Sequence, residues 1–313
     1  MKTYSNEKFL NLAKLGKNQW WRYLGAIPSI LAVWYCGVVA IAIILMIWVR
    51  IDNNPTTNFN PEVAFQFEGI SSPILNLYIN SGFLFLLLGL YTAVRFIHRR
   101  QFITLITTKR KINWKRIAQA FTVSFLTQIL AIIVAYFGDP NGLQLNLKLD
   151  SFLLFLPIAL LTTPIQTSVE ELFYRGYLMQ AIGLTTRKVA IPILLSSILF
   201  TIVHLRNPEV WSQANTIGLI SIILNYFISG LFLAWVTVKD NSLELAFGFH
   251  AANNIGVSLF VSAKNSVVPS PAIFSIGEIE AGISNILSLS LKYAIFYWLV
   301  FKVFSKPQIK NRV

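Results

Sequence analysis

The amino-acid sequence predicts an all-α, polytopic membrane protein of about eight transmembrane helices enclosing an intramembrane polar cavity. Three observations predict it. The 313 residues are 55% hydrophobic and only 12% charged, about half the charge of a soluble globular domain. The apolar residues gather into separate runs near the roughly 20 residues that cross a hydrocarbon core. The basic residues collect in the short segments between those runs, where they set orientation. No Gly/Ser tract or internal repeat divides the chain. Residues 26–305 are therefore expected to form one transmembrane domain, preceded by a basic and aromatic interfacial segment (1–25) and followed by a short basic tail (306–313).

The elements follow in order. "GKNQWWRYL" mixes Trp20, Trp21 and Tyr23 with Lys17 and Arg22, a mixture suited to headgroup depth. The run 26–49 is too long for a signal-peptide core and lacks a small-residue cleavage site, so it reads as a retained span. Cys36 within it is the sole cysteine. It forms no internal disulfide and is expected to be a small buried hydrophobe. Runs 74–97, 117–137 and 282–304 are clear by length. Run 152–182 is over-long, polar in its second half, and interrupted by Pro157 and Pro164, which suits tilt, a kink or extension past the bilayer. Run 189–205 is short, and 215–237 and 243–262 complete the set.

The net charge of +13 does not point to nucleic acid, because no basic face, zinc spacing or RNA-binding signature accompanies it. Instead the basic residues alternate by side. Lys2 to Arg22, Arg95 to Arg116, Arg187 and Lys188, Lys239, and Lys306 to Arg312 fall on one side. The other side keeps only Arg50, Lys148, Arg206 and Lys264, beside acids such as Asp139, Glu209 and Glu278. The positive-inside rule then puts both termini in the cytoplasm, in the plasma (inner) membrane of a bacterium.

Of the 13 acidic residues, all but Glu170 and Glu171 fall in loops, at termini or at a span's edge. A charged residue at mid-span costs about 2.5–3.5 kcal/mol on insertion scales, so such residues usually face a polar cavity and serve a function. Glu171 and Arg175 are four apart, acid first, the favourable arrangement for an ion pair on one helical face. Glu170 points about 100° away and stays free to face a cavity. Burial suits such a carboxylate to general-base work.

Two histidines lie in other apolar runs. Phe200 and His204 are four apart, so an aromatic ring can limit the imidazole's rotation. His250 and Asn254 are also four apart, and both side chains can donate to a developing oxyanion. Asn253 faces elsewhere and reads as a packing or interhelical hydrogen-bonding residue. His98, in "FIHRR", reads as part of the positive flank. Drawn as straight helices, the three segments put Glu170, His204 and His250 at different depths. A kink at Pro164 or a later start of the fifth helix is expected to reconcile them.

The motifs "EELFYR" (170–175), "FTIVH" (200–204) and "HAANN" (250–254), in that order on separate spans, resemble those of the CPBP (Abi) intramembrane proteases, which include the type II CAAX prenyl endopeptidases. The likeness covers roughly residues 150–262 by motif and most of the chain by topology, and no motif position departs from the pattern. It implies an intramembrane endopeptidase in which Glu170 and His204 activate a water. It also implies that His250 and Asn254 stabilise the oxyanion, with Glu171 and Arg175 in support. A metal-independent glutamic mechanism without cofactor is implied, acting on a peptide or protein substrate that is membrane-anchored or lipidated.

Three other readings compete. Glu170, His204 and His250 make a possible zinc ligand set, although no H-E-x-x-H helix announces it. A proton-coupled transporter would use the same groups as a relay, but no matching interrupted half is visible. A non-proteolytic scaffold or immunity-type protein predicts that Glu170→Ala leaves function intact.

Overall fold

The structure, a computed structural model, describes residues 8–52, 58–60, 66–68, 70–139, 142–267 and 270–304. The tail at 306–313 and the first seven residues of the N-terminal segment lie outside them. Ten α-helices follow in order: α1 (Trp20–Asp52), α2 (Ser72–Thr92), α3 (Trp114–Gly138), α4 (Leu149–Glu171), α5 (Met179–Gly183), α6 (Ala190–His204), α7 (Pro208–Trp211), α8 (Thr216–Asp240), α9 (Glu244–Phe260) and α10 (Ile283–Trp298). A π-helical turn, Leu172–Leu178, joins α4 to α5. Among the described residues the strands are short: Asn58–Asn60 pairs antiparallel with Gln66–Glu68, and three more, β1 (Gln144–Leu145), β2 (Val261–Ser262) and β3 (Phe274–Ser275), pair in the order β1-β3-β2.

Among the described residues, six helices are long and apolar enough to cross a membrane: α1, α2, α3, α4 with its extension through α5, α8, and α10. The chain is a multi-pass integral membrane protein. Two of the eight expected spans need correction. α6 has 15 residues and α9 has 17, about 22 and 26 Å at the helical rise, short of a hydrocarbon core about 30 Å thick. α9 is buried along most of its length, from Glu244 through Leu259, so its apolar run reflects a place inside the bundle.

The bundle is inverted relative to a soluble protein. α6 exposes Ile191, Leu194, Leu195, Ile198, Ile202 and Val203 while burying Pro192, Ser196, Ser197, Phe200 and Thr201. Apolar side chains face lipid, and small or hydroxylated ones face neighbouring helices. That pattern is expected where hydrocarbon gives no hydrophobic drive to association. Ser196 donates to the Tyr174 carbonyl at 3.1 Å. A Cβ at Gly230 on α8 would lie 3.1 Å from Ser197, so α6 and α8 meet through their smallest residues. On α9, a Cβ at Gly248 would lie 2.9 Å from both the Ala120 Cβ and the Phe121 nitrogen of α3.

Two readings change at the periphery. Cys36 is exposed on α1 rather than buried, because α1 meets α2 through Ile30 and Gly37 on a different face. His98 is 1% exposed and is not a headgroup flank. Its ring nitrogens lie 2.9 Å from the Lys17 carbonyl and 2.8 Å from the Tyr177 hydroxyl. The N-terminal segment reaches it because Phe9–Leu15 forms a 3₁₀-helix that buries Phe9, Leu12 and Ala13. Phe9 and Leu12 join Leu90, Leu105, Tyr177 and Met179 in the largest apolar cluster.

Candidate active site

The site begins where α4 ends. The π-helical turn after Glu171 buries every residue from Leu172 to Tyr177, and such turns recur at functional sites because the extra residue re-aims side chains. Glu171 and Arg175 pair at 2.9 Å with both side chains fully buried, as the four-residue spacing predicts. Glu171 has a second partner that the spacing does not reveal: its Oε1 lies 2.8 Å from His250 Nδ1. One carboxylate oxygen therefore ties α4 to α9. The Arg175 guanidinium lies 4.3 Å from the centre of the Phe200 ring, which joins α6 to the same cluster.

Glu170 is turned away from that pair. It is 8% exposed, and its Oε1 accepts a hydrogen bond from Gln166 Nε2 at 2.7 Å. Its Oε2 has no hydrogen-bond partner and lies 3.7 Å from His250 Nε2. His204 is the last residue of α6, and its Nδ1 sits 2.6 Å from the Phe200 carbonyl. A carbonyl only accepts, so Nδ1 carries the proton and the neutral ring presents its Nε2 lone pair. That ring is packed between Phe200, at 4.3 Å, and Tyr226, at 4.6 Å between centroids. Phe200 also lies 6.2 Å from the His250 ring. It is a common wall for Arg175, His204 and His250.

A late start of α6 does not reconcile the depths. α4 is continuous through both prolines, and α6 starts at Ala190. The reconciliation comes from the chain reversal at 184–189. About 20 Å of helix separates Glu170 from Gly183, and about 21 Å separates Ala190 from His204. The two arms of the hairpin bring the carboxylate and the imidazole level.

Asn254 lies on the far side of Glu170 within a directed chain of amides. Lys292 Nζ donates to Asn253 Oδ1 at 2.6 Å, and Asn253 Nδ2 donates to Asn254 Oδ1 at 3.2 Å. Asn254 Nδ2 donates to Gln166 Oε1 at 3.4 Å, and Gln166 donates to Glu170. Sequence reasoning assigned Asn253 an interhelical bond but overlooked its partner. Lys292 stands at the middle of the 21-residue span Ile283–Val303, and the insertion cost that singled out Glu170 would have flagged it too. Glu209, read as a loop acid, is 7% exposed. It accepts from the Tyr226 hydroxyl behind the ring stacked on His204. Only the fold could show that.

Among the described residues, no group of three or more His, Cys, Asp or Glu side chains is placed to share one metal ion. Glu170 Oε2 and His250 Nε2 lie 3.7 Å apart.

Comparison with known proteins places the same stretch of chain in a family. The family model described as type II CAAX prenyl endopeptidase Rce1-like matches residues 150–256, a stretch holding Glu170, Glu171, Arg175, Phe200, His204, His250 and Asn254. The uncharacterized protein YyaK of Bacillus subtilis (strain 168) is 33% identical over 266 residues, covering 83% of this chain and 85% of its own. No solved structure matches the chain. The relative's coverage extends the likeness well beyond the motif segments, and the chain belongs to the Rce1-like family of type II CAAX prenyl endopeptidases.

Proposed function

We propose that the protein is an intramembrane endopeptidase that hydrolyses a peptide bond with a water activated by Glu170 and His204. The observation that carries this reading is the free Oε2 of Glu170, held 3.7 Å from His250 Nε2 while Gln166 occupies its other oxygen. A buried carboxylate with one oxygen fixed and one available is arranged to take a proton.

In this mechanism the water oxygen attacks the scissile carbonyl carbon and one water proton passes to Glu170. The carbonyl becomes an oxyanion, held by Asn254 Nδ2 and by His250 Nε2–H. With Nδ1–H given to Glu171, His250 donates from Nε2 as the imidazolium. When the tetrahedral intermediate collapses, the C–N bond breaks and the amine takes the proton from Glu170, directly or through His204 Nε2. Arg175 and Glu171 act through His250 and Phe200, whose positions they fix. The reaction consumes one water and yields one carboxylic acid and one amine, which exchange a proton to leave a carboxylate and an ammonium, with no cofactor. The substrate is a membrane-associated peptide or protein.

The test is a quantitative survey of new protein termini in membranes expressing wild type or Glu170→Ala at matched abundance. Termini found with wild type and absent from the variant are the expected result. Identical sets of termini from two well-folded proteins would sink the protease reading and favour a scaffold.

A further inference from the structure

Lys292 is the odd charge of this bundle. It lies at the centre of the last span, and among the described residues no carboxylate pairs with it. Its ammonium is directed to Asn253 Oδ1 at 2.6 Å and sits 5.3 Å from the centre of the Phe249 ring. A cation at that depth is expensive, and such residues are usually retained for what they do to a neighbouring site.

We propose that Lys292 is a positioning residue that sets which way the Asn254 carboxamide faces, resting on the protease reading above. A carboxamide can be turned over with little change of shape, exchanging a donor for an acceptor. In an oxyanion site that exchange replaces attraction with repulsion. Here the direction is fixed from both ends of one hydrogen-bond chain. A lysine ammonium only donates, so Asn253 must present its oxygen to Lys292 and its N–H to Asn254. Asn254 must then present its oxygen to Asn253 and its NH₂ toward Gln166 and Glu170. At the far end an ionised Glu170 only accepts, which requires the N–H of Gln166 and leaves the Gln166 oxygen for Asn254. Every amide in the chain is aligned head to tail. Removing the ammonium releases Asn253, and the direction of Asn254 then rests on one end alone, through the longest bond of the chain, the 3.4 Å contact to Gln166 Oε1.

The experiment compares wild type, Lys292→Met, Lys292→Arg and Glu170→Ala in the same membranes. It follows the rate at which wild-type-specific protein termini accumulate, with thermal unfolding measured on each purified protein. Met matches the length of the stem and removes the donor, while Arg keeps a group that only donates. The expected result is an at least tenfold slower rate for Lys292→Met, a fraction of the roughly 10²–10³-fold effect of deleting an oxyanion donor. Its unfolding temperature should be no lower than that of wild type, and Lys292→Arg should recover most of the rate. A full rate for Lys292→Met, or equal losses for Met and Arg, would overturn the positioning role while Glu170→Ala still abolishes the termini. If wild type and Glu170→Ala give the same termini, the protease reading fails and this inference falls with it.

Discussion

His250 Nδ1 and Glu171 Oε1 lie 2.8 Å apart, on the same oxygen that meets Arg175 Nη1 at 2.9 Å. A carboxylate predicted to serve its own helix thus also holds an imidazole on another through Nδ1. The supporting pair and the oxyanion pair are one network. A change at either end is expected to travel to the other.

Removing one member of that buried network should therefore damage the fold as well as the activity. Glu171→Gln or Arg175→Met leaves a buried charge without its partner, a loss of about 3–5 kcal/mol. Replacing both together should cost less than either alone. Denaturant or SDS unfolding of the purified variants checks this, and additive losses would argue against direct coupling.

Asn254→Ala removes a proposed oxyanion donor without disturbing a buried charge. It should lower the turnover rate by about 10²–10³-fold while leaving the unfolding temperature within a few degrees. The accumulation of wild-type-specific termini reads the first, and thermal unfolding the second.

Gly248→Ala should loosen the seam between α3 and α9, since its Cβ would lie 2.9 Å from the Ala120 Cβ. Overpacking of this kind costs about 1–3 kcal/mol. The loss should appear as a lower unfolding temperature. An unchanged value would mean that the helices part freely.

Burial holds the His98 imidazole below its ordinary value of 6.5, with the Lys17 carbonyl partly offsetting the shift. The unfolded chain therefore takes up this proton first as pH falls. The stability contributed by neutral His98 is complete above about 6.5 and is lost as pH drops through the lower folded-state value. Unfolding measured at several pH values should show that loss, and His98→Phe should flatten it.

A glutamic mechanism should survive thorough chelation. Prolonged dialysis against a strong zinc chelator should leave the rate of terminus formation unchanged. Inhibition reversed by added zinc would instead assign Glu170 and the histidines to an ion.

Much of this architecture was legible in the residues. The apolar runs located the six long helices as well as α6 and α9, because length and composition dominate helix formation in lipid. The spacing of Glu171 and Arg175 gave their pair. The short crossings of α6 and α9 were less visible, since hydropathy records where a segment prefers to be and not how far it travels. The second bond of Glu171, the amide chain to Lys292 and the burial of Glu209 against Tyr226 are contacts between distant segments. Periodicity within one helix carries no information about them. His98 was misread for the same reason: its neighbours in sequence are basic, but its neighbours in space are Lys17 and Tyr177.

The shortness of α6 also concerns the lipid. This helix is about 22 Å long and shows an apolar face from Ile191 to Val203 to its surroundings, so acyl chains beside it must compress to match it. Such mismatch costs fractions of a kcal/mol per Å, enough to make bilayer thickness a variable to which the protein responds. Reconstitution in short-chain lipids should favour turnover over reconstitution in long-chain ones, and equal rates in both would show that the protein, not the lipid, absorbs the difference.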